Sequence, residues 1–192
     1  ELLKGMLRPI FRFADSTEWE FDFAPHDVGR YPVLNRQVYG SYKRLRNSSE
    51  GNTNVPFYYY PATEAVYDLN MQMPVEECGN MLISLGALSH MEGHASFASQ
   101  WWPVVTKWAE YLSRFGFDPG DQLCTDDFAG HLAHNVNLSA KAILALACYG
   151  RMADMRGEKE TAEKYLSMAR QFARQWITAS AGGREGAAKL TF

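Results

Sequence analysis

Ionisable and amide side chains crowd into three short stretches of the chain. The first is Ala24-Pro25-His26-Asp27-Val28-Gly29-Arg30-Tyr31-Pro32, where two prolines and Gly29 hold His26, Asp27 and Arg30 on a tight path. A guanidinium placed there suits a carboxylate, which it can grip through two parallel hydrogen bonds. The plainer alternative is a turn in which Asp27 pairs with Arg30. The second stretch runs from Met73 through Pro74, Val75, Glu76, Glu77, Cys78 and Gly79 to Asn80. Proline followed by two acids reads as the start of a helix, since carboxylates in the first turn complement the positive end of the helix dipole. Glu76 and Asn80 are four residues apart, so they share a face and can point together into a cleft. A carboxylate in a partly apolar mouth is suited to acid–base work; the alternative is that both glutamates only stabilise the helix start. The third stretch, Thr125 to Asn137, carries Asp126, Asp127, His131, His134, Asn135 and Asn137 within thirteen residues. Thr125 or Asp126 capping a helical turn would account for part of it, leaving Asp127, His131 and the asparagines over.

Other chemistries lack their signatures. His131-x-x-His134 is not the H-E-x-x-H run of zinc-dependent hydrolases, so no metal is expected. The chain has no G-x-S-x-G or S-x-x-K nucleophile motif and no glycine-rich phosphate loop, so no cofactor or nucleotide is expected either. Cys78, Cys124 and Cys148 are isolated and odd in number, which reads as small buried hydrophobes and not as a disulfide framework. What remains is a set of carboxylates from separate loops around one mouth. Such a set suits attack by water on a C–N or glycosidic C–O bond.

These clusters need a frame. The 192 residues are 46% hydrophobic and 21% charged, the composition of a folded domain. A formal charge of −3 gives no footprint for nucleic acid or an anionic membrane. No apolar run reaches the roughly 18 residues of a membrane span. Apolar periodicity predicts helices over Leu2–Phe13, Val75–Met91, Phe97–Phe115, Asn137–Met155 and Glu158–Ser180, with Pro103 near the start of the third or at a kink. The second and fourth are apolar on most sides and belong inside. The third and fifth carry a single stripe, with Trp101, Val105, Trp108, Leu112 and Phe115 on the third, and belong outside. Short links near Gly93 and across Arg156-Gly157-Glu158 make each inner–outer pair an antiparallel hairpin. The pairs start about 60 residues apart, a weak repeat. Ser16–Met73 and Phe117–Asn135 are long irregular connections, the kind that carries function. The residues after Gly182-Gly183 read as a fraying end. The fold class is therefore all-α, a partial α/α toroid of antiparallel helical hairpins with long functional loops. Residues 1–192 form one domain: 1–73 supplies a first helix and long loops, 74–192 two hairpins. The chain opens at Glu1 without a methionine or signal peptide and is read as a piece of a larger toroid.

Four ordered blocks carry a resemblance: Phe23–Pro32, Met73–Leu82, Leu123–Gly130 and Asn135–Lys141. Together they are similar to the central region of the glutaminase A family, which includes secreted fungal enzymes and relatives from Bacteroidetes. The resemblance runs from Leu2 to about Arg156; Cys78 and Cys124 stand where Ser or Thr is expected. It implies a six-hairpin toroid like that of inverting glycosidases, preceded by a β-rich domain, and hydrolysis of L-glutamine to L-glutamate and ammonia. It also implies a periplasmic, cell-surface or secreted location. The partners expected are a small-molecule substrate and the neighbouring domains of the parent chain, with no nucleic acid and no membrane insertion. On this reading Glu76 or Glu77 is the general acid, and Asp126 or Asp127 orients or deprotonates water. Asn80, Asn137 and His131 hold the substrate, while His26, Asp27 and Arg30 bind its carboxylate end. Two alternatives stay open: a glycoside hydrolase of the same toroid, with Tyr58-Tyr59-Tyr60 and Trp101-Trp102 as sugar platforms, and a non-catalytic helical module. The aromatics also fit a hairpin core, the preferred reading.

Overall fold

A computed structural model describes residues 1–28, 72–124, 130–182 and 186–192. Arg30, Tyr58-Tyr59-Tyr60, Asp126 and Asp127 lie outside the described residues. The regular elements are α1 (Leu2–Ala14), α2 (Pro74–Glu92), α3 (Ser96–Ser99), α4 (Trp102–Phe115), α5 (Val136–Met155) and α6 (Lys159–Ala179). Among the described residues the secondary structure is helical, with one isolated antiparallel bridge between Asn135 and Thr191.

Each helix boundary has a local cause. Pro74 opens α2, where its missing N–H is no loss, and Gly93 closes it at φ 74°, a left-handed cap that glycine adopts without strain. The helix expected over 97–115 is broken. Gln100 and Trp101 interrupt it, and α4 restarts at Trp102 with Pro103 in its first turn. Proline there cannot donate to the preceding turn, so a continuous helix would lose that bond and clash. Asn135 caps α5: its Oδ1 accepts from the backbone N–H groups of Asn137 at 2.9 Å and Leu138 at 3.1 Å.

The helices pair as the periodicity predicts. α2 and α5 run side by side in the same direction, shown by two contacts seven residues apart on each helix. A Cβ added at Gly79 would lie 2.7 Å from Cγ of Lys141, and one added at Gly86 would lie 2.6 Å from Cβ of Cys148. Glycine at both positions lets the inner helices approach closely. α5 and α6 pack as an antiparallel hairpin, with Gly150 beside Leu166. The core runs between these layers through Leu82, Leu85, Leu112, Leu138, Leu146 and Tyr149. α1 packs through Phe11, which stacks on Trp101 at 5.3 Å and on Trp108 at 5.2 Å. Trp102 stacks on Tyr149 at 4.9 Å. The adjacent tryptophans therefore serve the core. Leu144, on the supposedly covered helix α5, is 53% exposed.

This arrangement sorts the connections. Links 93–101 and 156–158 lie at the C-terminal ends of α2 and α5, while residues 24–28, 72–73, 122–124 and 130–135 lie toward their N-terminal ends. Trp19, Phe23 and Tyr111 pack the segment after α1 against α4. Burial there pushes the Tyr111 phenol up to about 12. The chain end does not fray throughout. Val136 N–H donates to Leu190 C=O at 3.1 Å, Phe192 N–H donates to His134 C=O at 3.0 Å, and Phe192 stacks on Phe117. Those bonds satisfy backbone groups ahead of α5 that its own ladder cannot reach.

Candidate functional site at the N-terminal ends of the inner helices

The first turn of α2 is tied down from two loops. Gln122, from the connection before α5, accepts the Val75 N–H at 2.9 Å and so satisfies one orphan donor of the helix start. Ala24 N–H donates to the Cys78 sulfur at 3.2 Å, which brings the 24–28 segment onto the same turn. Burial pushes the Cys78 thiol well above its ordinary range. A protonated, fully buried sulfur is a packing group and not a nucleophile. Cys124 is also buried, and Cys148 is half-buried.

Four of the expected site residues converge here. Glu76 is 1% exposed and Glu77 19%. The Asn80 amide donates to Glu77 Oε2 at 3.3 Å and lies 3.5 Å from Glu76 Oε1. His26 Nδ1 is 3.3 Å from Glu77 Oε1. A carboxylate only accepts, so this bond sets the proton of the neutral ring on Nδ1. The i, i+3 and i, i+4 relations on α2 are what bring Asn80 over both acids. Asp27 follows His26 on the same half-buried segment.

The fifth member was not singled out in the sequence. Lys141, from α5, places its ammonium on Glu76 Oε1 and donates to Asn80 Oδ1 at 3.0 Å. The signal available was its isolation: Lys141 is the one charged residue between Val136 and Gly150. A lone cation within an inner helix requires a buried partner. The outcome is a hydrogen-bonded chain from Lys141 through Asn80 and Glu77 to His26, with Glu76 closing its inner end.

The third stretch is less unified. His131 faces Asp121 at 3.6 Å, and His134 faces Asp118 at 2.7 Å, so the two imidazoles turn to separate aspartates that the motif reading overlooked. His134 has φ 58°, a left-handed backbone that a non-glycine residue adopts only when held, here by Pro119 C=O accepting from its N–H at 2.8 Å. Asn137 is exposed and Asn135 buried, so the second serves the helix cap while the first faces outward. Among the described residues no three His, Cys, Asp or Glu side chains are grouped to hold a metal ion. A groove of about 400 Å³ along α4, lined by Asp22, Trp102, Thr106, Lys107 and Tyr111, is separate from the Glu77 cluster.

Comparison with known proteins gives this geometry its context. Residues 1–192 match the family described as the Glutaminase A six helical-hairpin domain. The chain is 28% identical over 178 residues to Glutaminase A of Aspergillus oryzae, covering 93% of the chain and 22% of that protein. It is 26% identical over 209 residues to a protein of Arthroderma benhamiae named as a probable glutaminase, covering 91% of the chain and 24% of the relative. It therefore spans about a quarter of the length of these curated relatives. An all-α pair of antiparallel hairpins and a match over every residue lead to one conclusion: the chain belongs to the Glutaminase A six helical-hairpin domain family.

Proposed function

We infer that the protein carrying this chain is a hydrolase that cleaves the side-chain amide of L-glutamine. Water adds to the amide carbon, the C–N bond breaks, a proton passes to the nitrogen, and L-glutamate and ammonia leave. The observation that carries the reading is the convergence of Glu76, Glu77, Asn80 and His26 on one helix start, in a chain similar to proteins named glutaminase. Of the two glutamates, Glu77 is assigned the acid–base role. It is the more exposed, and it bonds the His26 imidazole, a group able to donate or accept a proton. Glu76, closed off by Lys141, sets the charge behind it. Asp126 or Asp127 is proposed to orient the water. Asn80, Asn137 and His131 are proposed to hold the substrate, and Arg30, with His26 and Asp27, its α-carboxylate. The rest of the longer protein is proposed to complete the toroid and close the pocket, and the enzyme to work outside the cytoplasm. No helix among the described residues is long and apolar enough to cross a membrane.

The test is ammonia release from L-glutamine by the full-length protein, beside a panel of aryl glycosides, for the wild type and Glu77→Gln. Ammonia release that falls at least about 100-fold in Glu77→Gln supports the reading. Sugar release without ammonia replaces glutamine by a glycoside. Wild-type turnover by Glu77→Gln removes that residue from the chemistry.

A further inference from the structure

Lys141 has no part in the reaction as written above, yet its charge is tied to a buried partner. Its ammonium meets a carboxylate that is 1% exposed, across the seam between two helices, from a position 65 residues away in the chain. Taking that carboxylate out of water is costly unless good hydrogen bonds and a countercharge compensate. The fold also makes room for it. Gly79 leaves a notch in α2, and the Lys141 stem lies across that notch, where an added Cβ would come 2.7 Å from Cγ and 2.9 Å from Cδ.

The consequence follows from donor and acceptor chemistry. An ammonium can only donate, so it turns the Asn80 amide until Oδ1 faces Nζ. The Asn80 NH₂ then reaches Glu77 Oε2 at 3.3 Å, with Glu76 Oε1 at 3.5 Å, and the other oxygen of Glu77 receives His26. We propose that Lys141 is a positioning residue: by fixing the Asn80 amide it aims the Glu77 carboxylate and, through it, the His26 ring. Without Lys141 nothing holds Oδ1 in that direction, so the amide can rotate and its NH₂ can leave Glu77. The proposal rests on the assignment of Glu77 and His26 made above.

The experiment compares Lys141→Met, which keeps an unbranched stem over Gly79, with Lys141→Arg, Asn80→Ala and the Lys141→Met/Asn80→Ala pair in the full-length protein. For ammonia release from glutamine, Lys141→Met is expected to lower kcat about 100-fold and to leave KM within about threefold, as misplacement of a reacting group does. Asn80→Ala should match it in kcat, the double variant should have a kcat no lower than the poorer single, and arginine should restore part of kcat. Losses that multiply in the double variant, or wild-type kcat in Lys141→Met, overturn the proposal.

A second readout needs no turnover: the rate at which diethyl pyrocarbonate modifies His26, followed by peptide mass spectrometry. Lys141→Met and Asn80→Ala should change that rate by at least about threefold and in the same direction as Glu77→Ala, because all three weaken or remove the bond from Glu77 to the ring. His131, paired with Asp121 outside the network, should react as in the wild type and so reports that the fold is kept. If Lys141→Met does not fold, Asn80→Ala and Lys141→Arg carry the same comparison. A His26 rate that no variant moves overturns the positioning role. Failure of the wild type to release ammonia would overturn only the assigned reaction, since the His26 rates still decide the positioning.

Discussion

The two ends of α5 use charge in different ways. At its C-terminal end the ionic contacts are short in sequence and partly open to water. Arg156 donates to Glu158 at 2.7 Å, its guanidinium lies over Trp102, and Lys159 donates to Asp154 at 2.6 Å. Here a turn is stapled by groups that the chain had already placed side by side. At the N-terminal end the pair Glu76–Lys141 joins residues far apart in sequence, and its carboxylate sits almost out of reach of solvent. Exposed pairs are easily replaced by water, whereas a buried pair must be kept whole once it is made. The lesson is that the second arrangement is expensive as a clamp and useful as a jig. An apolar pair would hold the seam as well, but it could not orient an amide.

The largest expected effect tests that contrast directly. Glu76→Ala leaves the Lys141 ammonium at the seam with Asn80 as its one partner among the described residues, and is expected to cost about 3–5 kcal/mol of stability. Glu158→Ala, which removes a 33% exposed partner from Arg156, should cost no more than about 1 kcal/mol. Denaturant midpoints of the two variants, measured side by side, check the difference. Equal losses would mean that both ends are ordinary staples.

The two seam glycines divide the same contrast more finely. Gly86→Ala drives a methyl to within 2.6 Å of Cβ and 2.7 Å of Sγ of Cys148, atoms fixed close to the α5 backbone. The helices must part, and a loss of about 1–3 kcal/mol is expected with kcat unchanged. Gly79→Ala meets the stem of Lys141 instead, which can swing aside at small cost in stability but takes the ammonium away from Asn80. Its loss should therefore appear in kcat. Thermal midpoints and turnover measured on both variants would show whether the two defects separate.

How much of this was written in the sequence depends on how far apart the cooperating residues lie. Helix positions were legible because each rests on local periodicity and a Pro or Gly nearby: Pro74 and Gly93 bound α2 as expected. The break at Gln100 and Trp101 was harder, since Trp101, Val105 and Trp108 keep a helical spacing straight through it. Within the site, Glu76, Glu77 and Asn80 could be grouped because one turn of helix carries them. His26 could be named, but its partner could not, because it lies 51 positions further along the chain. Lys141 escaped for the same reason, and so did Asp118 and Asp121, which take the two histidines that looked like a pair. The end of the chain misled in another way. Phe192 and Leu190 look unpatterned, yet their backbone groups serve the loop ahead of α5.

Smaller effects separate the ends by their dependence on conditions. Asn135→Ala removes the side chain that caps α5, and should cost about 1 kcal/mol in denaturant unfolding at any pH near neutrality, because the cap is an uncharged amide. Asp154 is the opposite case. The Lys159 ammonium bonded to it holds its carboxyl below the ordinary aspartate range, with Arg151 adding to the effect. A carboxylate depressed in the folded state contributes stability that is fully present above its unfolded value and is lost as pH falls through the folded value. The group is open to solvent, so this contribution is the smallest considered and is screened by salt. Asp154→Asn should therefore lower the thermal midpoint slightly at neutral pH and low salt. The gap from the wild type should close on acidification below the usual aspartate range, and should also close at neutral pH as salt is added. A gap that survives both treatments would mean that Asp154 shapes the 156–158 turn through its backbone contacts, with Gly157 N–H donating to its carbonyl at 2.9 Å, and that the staple is not electrostatic.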